Sequence, residues 1–190
     1  MPRPKGIPFS EEYAGQNYAE FSVTRKADAQ IMTRRLLFIL LYLAFAVIYC
    51  VVFLVLTKIG TMIAILPLFL LILWLVTWRF TKIDYTYIVY QGQFHIYRVN
   101  GFNKAKEVLN AKLSENDGIY PAADADYASL AAECASSLDF SAGKNTADMY
   151  FARFVIDGAM TAVYFTAAAK LLTSLRYYGG ENVVVTYVSR

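Results

Sequence analysis

Hydrophobic and polar positions follow two different rules along this chain, and the change comes near Lys82. Before it lie two unbroken apolar runs. Residues 36–56 read LLFILLYLAFAVIYCVVFLVL, 21 residues without a charge, and residues 59–78 read IGTMIAILPLFLLILWLVTW, 20 residues, also uncharged. A helix rises about 1.5 Å per residue, so each run reaches about 30 Å, the thickness of a bilayer's hydrocarbon core. Sixteen residues of the first run are Leu, Ile, Phe or Val. Each of these at a helix centre favours insertion by about 0.3–0.6 kcal/mol. The core helix of a soluble protein shows polar residues at helical period, and neither run does. Thr57 and Lys58 separate the runs, with Gly60 and Thr61 helping the chain turn. The pattern therefore predicts an antiparallel membrane hairpin, with a kink where Pro67 interrupts the second helix.

After Lys82 the pattern alternates. IDYTYIVY (83–90), FHIYRV (94–99) and KAKEVLNAKL (104–113) read as three strands. Gln91-Gly92 and Asn100-Gly101 mark turns between them, the second a strong hairpin signal because both residues accept positive φ. DADYASLAAECASS (124–137) reads as a helix capped by Asp124 or Asp126, with Tyr127, Leu130, Ala131 and Cys134 on one stripe. MYFARFVI (149–156) and TAVYFT (161–166) flank Asp157-Gly158, a further hairpin. AAAKLLTSLRYY (167–178) is a helix with Ala168, Leu171, Leu172 and Leu175 on one face, stopped by Gly179-Gly180. NVVVTYV (182–188) reads as a terminal strand. The fold class expected is a membrane α-helical hairpin plus an α+β domain, with a mainly antiparallel sheet and two helices. Residues 1–35 form an N-terminal arm, 36–78 the hairpin and 79–190 the α+β domain.

Charge sets the orientation. Arg25, Lys26, Arg34 and Arg35 precede the first run, Arg79 and Lys82 follow the second, and Lys58 stands alone between them. Six basic residues against one place both termini in the cytoplasm. Arg34, Arg35, Trp74, Trp78, Arg79 and Lys82 are then the membrane-interface anchors. The net charge of +3 is too mild for nucleic acid, and no basic arm or recognition helix is present. Between Ser114 and Ala147, six acids face one base, Lys144, a net charge of −5 that leaves +8 on the rest. Such a segment is a solvated acidic face or a docking surface for a basic partner. Cys50 lies in the first apolar run and Cys134 outside it, so no disulfide is expected.

The junction WRFTKIDYTYIVYQGQFHIYR, where the second apolar run passes directly into strands, is similar to that of small bacterial membrane proteins joining a two-span hairpin to a pleckstrin-homology-like domain. With EFSVTRKADAQ before the first run and LLTSLRYYGGENVVV near the end, residues 20–187 also resemble a group of small two-span proteins of Gram-positive anaerobes. The resemblance implies the topology and a pleckstrin-homology-like fold, and it implies no activity. The strand-like NVVVTYV after the last helix and the acidic helix between strands depart from the pleckstrin-homology pattern.

Catalytic chemistry has little to stand on. His95 is the single histidine and has no Cys or carboxylate at ligand spacing, so it is expected on a strand surface or sheet rim. Base-assisted nucleophiles would all depend on it. Neither G-x-S-x-G nor a phosphate-binding G-x-x-x-x-G-K occurs. Asp124 and Asp126 lack the central Gly and bidentate Glu of a calcium loop. No catalytic residue, metal, cofactor or small-molecule substrate is expected. The reading is a non-catalytic interaction or scaffold module of the bacterial cytoplasmic membrane, bound to the bilayer and to a protein partner or a second copy. Its alternative is a sensor of anionic lipid. Lys104, Lys106, Asp124 and Asp126 are the candidate lipid or partner contacts.

Overall fold

A computed structural model describes residues 5–7, 18–56, 58, 60–101, 103–143 and 148–186. The chain divides into two compact units, one of Ala27–Lys82 with Asn100–Phe102, the other of Met1–Lys26, Ile83–Val99 and Asn103–Arg190.

The first unit is a helical hairpin. Helix α1 (Ala29–Val51) begins where the Asp28 carboxylate accepts the Ile31 amide at 3.1 Å, a side-chain N-cap. A π-helical turn, Val52–Leu56, continues it. After Lys58, whose φ is +55°, a 3-10 turn at Gly60–Ile65 leads into α2 (Leu66–Phe80). Pro67 therefore sits in the first turn of α2, a position that tolerates proline. The expected mid-helix kink is replaced by a change from 3-10 to α-helix at that point. Ile31–Val55 and Gly60–Phe80 are long and apolar enough to cross a membrane, and their apolar stretches are not buried inside the protein. The Tyr42 hydroxyl hydrogen-bonds Thr77 Oγ1. Tyr49 donates to the Met62 carbonyl at 3.0 Å and its ring lies 6.2 Å from that of Phe69. Contacts advance along α1 as they recede along α2, so the helices are antiparallel. Thr57 of the expected turn, and Ile59 at the start of the second run, lie outside the described residues.

Among the described residues the second unit holds two four-stranded sheets, a one-turn helix and a longer C-terminal one. The first sheet has the order β1-β2-β3-β4, formed by β1 (Ala19–Thr24), β2 (Ile83–Tyr90), β3 (Gln93–Asn100) and β4 (Lys106–Lys112). Strand β1 corrects the expectation that everything up to residue 35 is an arm. It pairs antiparallel with β2 from Ala19↔Val89 to Thr24↔Asp84, and Arg25 N–H extends the ladder to the Ile83 carbonyl at 2.9 Å. The segment AEFSVT alternates as a strand should, but its partner lies beyond the whole helical hairpin. Two neighbouring strands are thus joined, in sequence, by both long helices. Gln91-Gly92 forms the expected tight turn, with φ of +49° and +74°. Asn100-Gly101 does not. Asn100 closes β3, β4 starts only at Lys106, and Gly101 donates its N–H to the Lys82 carbonyl at 3.3 Å.

The second sheet has the order β5-β7-β8-β6, from β5 (Gly118–Pro121), β6 (Ser136–Asp139), β7 (Met149–Ile156) and β8 (Ala159–Thr166). β7 and β8 flank Asp157-Gly158 with the expected positive φ, +53° and +79°. The helix expected over 124–137 shrinks to a 3-10 turn at Ala125–Tyr127 and a single turn α3 (Ala128–Ala132). Its last two residues, Ser136 and Ser137, open β6, which pairs parallel with β8 from Ser136↔Thr161 to Asp139↔Tyr164. The open edge of β8 outbids a modest helical stripe, a tertiary override of local propensity. Helix α4 (Ala169–Gly179) buries Leu171, Leu172 and Leu175 and stops at Gly180, φ +68°. The expected terminal strand is reduced to one parallel bridge, Val183 to Ile119; residues 187 and 188 lie outside the described residues.

Alternation fills the core from both sheets: Tyr87, Val89, Phe94 and Ile96 from one, Tyr150, Phe154, Val163 and Phe165 from the other, with the leucines of α4. On the outer face of the first sheet, Tyr18, Ile88 and Tyr97 form a smaller cluster against Ile7, Tyr90 and Ala105. Lys5 accepts the Ala105 amide at 2.9 Å beside it.

Candidate functional site

In the helical hairpin, the expected interface residues gather at one end. The Arg35 guanidinium lies 4.6 Å from the centre of the Trp78 ring, a cation–π contact. Its Nε donates to Thr81 Oγ1 at 3.4 Å, and Trp74 and Trp78 lie 5.8 Å apart. Arg79 occupies the last turn of α2, where a cation complements the helix dipole. Arg34, Arg79 and Lys82 are exposed. An amphipathic aromatic belt beside basic side chains is the composition of a membrane–water interface.

The sheet unit offers a groove of about 520 Å3 between β4 and the far half of β7. Its apolar lining is Val108, Leu109, Ala111, Phe154, Val155 and Ile156; Lys112, Glu115 and Asp157 add charge to it. Both strands present backbone groups there that meet no partner among the described residues, except the Lys112 carbonyl, which caps the 3-10 turn Leu113–Glu115. Antiparallel ladders alternate between hydrogen-bonded and non-hydrogen-bonded pairs. Leu113 N–H donates to the Gly92 carbonyl at 2.8 Å, which makes that pair a bonded one. The register His95↔Asn110 and Gln93↔Lys112 then turns the N–H and C=O of Asn110 and Lys112 away from β3. Strand β7 repeats the arrangement. Ile156↔Ala159 closes the tight turn, so Arg153 and Val155 aim their backbone groups away from β8. Arg153 is met by Asp117, whose N–H reaches its carbonyl at 3.0 Å. Strand β5 pairs with β7 only from Tyr150 to Arg153 and leaves Val155 unmatched, 60% exposed.

Over residues 15–185 the sequence matches the family described as Bacterial PH-like domain (DUF6106). The chain belongs to the bacterial PH-like domain family. No curated protein and no solved structure is significantly similar to it. Two packed antiparallel-rich sheets with a C-terminal helix are consistent with that fold, and the matched span includes both long helices.

In this bacterial PH-like protein the other expected contacts are dispersed. Lys104 and Lys106 are exposed at the start of β4, and neither forms an ion pair among the described residues. Asp124 caps the 3-10 turn by accepting the Asp126 amide at 3.1 Å, and Asp126 is exposed beside it. The acidic stretch is largely satisfied from within. Arg153 pairs with Asp117 at 3.1 Å and Glu133 at 3.7 Å, Arg25 with Asp139 at 3.2 Å, and Lys112 with Glu115 at 3.3 Å. These pairs cancel much of the field that a basic partner would feel.

His95 corrects its expectation outright. It is buried at 4% exposure, and its Nδ1 lies 2.6 Å from Glu107 Oε1 on the neighbouring strand. Its ring lies 6.3 Å from that of Tyr97. Burial, then the Glu107 charge, pushes the Tyr97 hydroxyl above its usual pKa. Among the described residues no group of three His, Cys, Asp or Glu side chains is placed to hold a metal ion.

Proposed function

We propose that this protein is a non-catalytic interaction module, anchored in the cytoplasmic membrane by its helical hairpin with both termini inside. The observation that carries the reading is the pairing of a PH-like sheet domain, which has a strand edge open among the described residues, with two helices that leave their apolar length uncovered. Helices of that kind are stable where lipid covers them. A domain tethered there meets membrane partners at raised local concentration. Several of its charged side chains neutralise one another in pairs, and its one histidine is buried against a carboxylate, so a binding role fits better than a reaction. The test is recovery of the full-length tagged protein from its native membrane in mild detergent, with identification of what accompanies it. A stoichiometric protein partner is the expected result. A monodisperse monomer without one counts against the module.

A second reading, recognition of anionic lipid, is favoured by exposed Arg34, Arg79 and Lys82 near the aromatic belt. Each such residue near a negative membrane surface contributes about 1 kcal/mol. Lipid analysis of the same purified sample separates the two readings, since a sensor retains anionic lipid above its membrane abundance. The full chain is needed for either test, because residues 83–190 alone lack β1, the edge of the first sheet.

A further inference from the structure

The groove between β4 and β7 says what kind of partner it takes. Beside the polar side chains of Gln93, Lys112, Glu115 and Asp157, it offers main-chain groups: the outward N–H and C=O of Asn110 and the N–H of Lys112 on one wall, and the N–H and C=O of Val155 on the other. Between them lie buried Leu109 and Phe154. An unpaired strand edge above an apolar floor is matched by another extended backbone, whose N–H and C=O complete the ladder while alternate side chains enter the floor. We propose that this groove binds a short extended segment of a partner protein by strand addition, pairing with β4 over Asn110 and Lys112 and reaching Val155 across the groove. The proposal rests on the interaction-module reading and names the surface and the class of partner.

The shape favours a single segment over a second copy of the chain. In each copy β4 is walled by its own β7, so two such recessed edges do not meet without opening both sandwiches. The bulge at Val108, where the β3–β4 register shifts, and the lysines at both ends of β4 discourage indiscriminate edge pairing. From Val108 to Lys112 the wall offers five residues, about 16 Å at about 3.3 Å each.

The probe is a library of short random peptides displayed on phage and selected against the full-length protein in lipid nanodiscs. Selected peptides are expected to alternate apolar and polar residues. Their binding is expected to fall about tenfold in Asn110→Pro and in Val155→Pro, each of which removes an outward donor. Because those N–H groups face away from β3 and β8, proline there breaks no existing ladder bond. On the unsubstituted protein, which removes any doubt about the fold of the variants, bound peptide is expected to slow amide exchange at Asn110, Lys112 and Val155. Three results overturn the proposal: no peptide enriched above empty nanodiscs, exchange at those amides unchanged by bound peptide, or a wild-type dimer that Asn110→Pro dissociates, which would assign the edge to a second copy. If a stoichiometric partner is recovered from the native membrane and Asn110→Pro leaves it bound, the module stands and the groove is not its surface.

Discussion

Tyr87, in the middle of β2, donates its hydroxyl to the carbonyl of Phe140 at 2.6 Å and accepts the amide of Thr166 at 3.3 Å. One side chain of the first sheet thus satisfies two backbone groups at the end of the second. Its residue is 0% exposed, and a buried amide or carbonyl left without a partner costs about 1–3 kcal/mol. Tyr87→Phe keeps the ring packing on Phe94 and Phe165 and removes only the hydroxyl. The expected loss is about 1–3 kcal/mol in thermal or denaturant unfolding of the detergent-solubilised protein.

The same burial gives a pH dependence. Desolvation holds the Tyr87 hydroxyl well above its usual pKa, against the opposing hydrogen bond from Thr166. The folded state therefore keeps the proton that the unfolded state releases. Stability from this group is complete below the unfolded pKa of about 10 and falls above it by about 1.4 kcal/mol per pH unit. Alkaline unfolding is expected to steepen above that pH in the wild type and to be shallower in Tyr87→Phe. Parallel curves would show that other groups govern it.

Glu107 reaches across the first sheet to a buried histidine, and the two substitutions available there separate charge from hydrogen bonding. Glu107→Gln retains an acceptor for His95 and is expected to cost little. Glu107→Ala removes it and is expected to cost about 1–2 kcal/mol. Glu107 is itself 41% exposed, so charge alone contributes little. A large loss in Glu107→Gln would contradict that division.

Where partners are near in sequence, the chain's pattern already spells out the fold. Strands β2 and β7 occupy their expected limits, Gln91-Gly92 and Asp157-Gly158 make their turns, and α4 buries its leucine stripe, because turn chemistry and side-chain period act within a few residues. Strand β1 is illegible for the opposite reason, since what makes AEFSVT a strand is β2, about sixty residues on. Strand β6 depends likewise on the edge of β8. The environment of His95 was lost through one register. A two-residue turn at Asn100-Gly101 would set Lys106 across from His95, whereas the longer connection puts Glu107 opposite Tyr97 and diagonal to the histidine. The clustering of Arg35, Trp74 and Trp78 at one end of the hairpin was legible because apolar runs announce their own ends. The groove was not, since it is made of backbone groups whose freedom depends on which neighbours stop short.

Gly101 owes its place to geometry. Its φ is +60°, and a Cβ there would lie 3.1 Å from both the Arg79 carbonyl oxygen and Phe80 Cα. Backbone atoms at the end of α2 cannot swing aside as a flexible side chain could. Gly101→Ala is expected to destabilise by about 1–3 kcal/mol through the positive φ and the contact together. Thermal unfolding in detergent would register this as a lower midpoint. An unchanged midpoint would mean that this connection is free to relax.

The orientation of the hairpin can be read from two cysteines. Lys58 is exposed between the two long helices. Cys134 lies in the sheet unit, which the proposed topology puts inside the cell. A Cys50→Ala background leaves Cys134 as the native reporter, and Lys58→Cys with Cys134→Ala supplies the opposite one. A membrane-impermeant maleimide applied to intact cells is expected to label the Lys58→Cys protein and to spare Cys134 until the membrane is opened. The reverse pattern would invert the topology. Labelling of both, or of neither, in intact cells would place the two positions on one side of the membrane, and the two-span anchoring would fall with it.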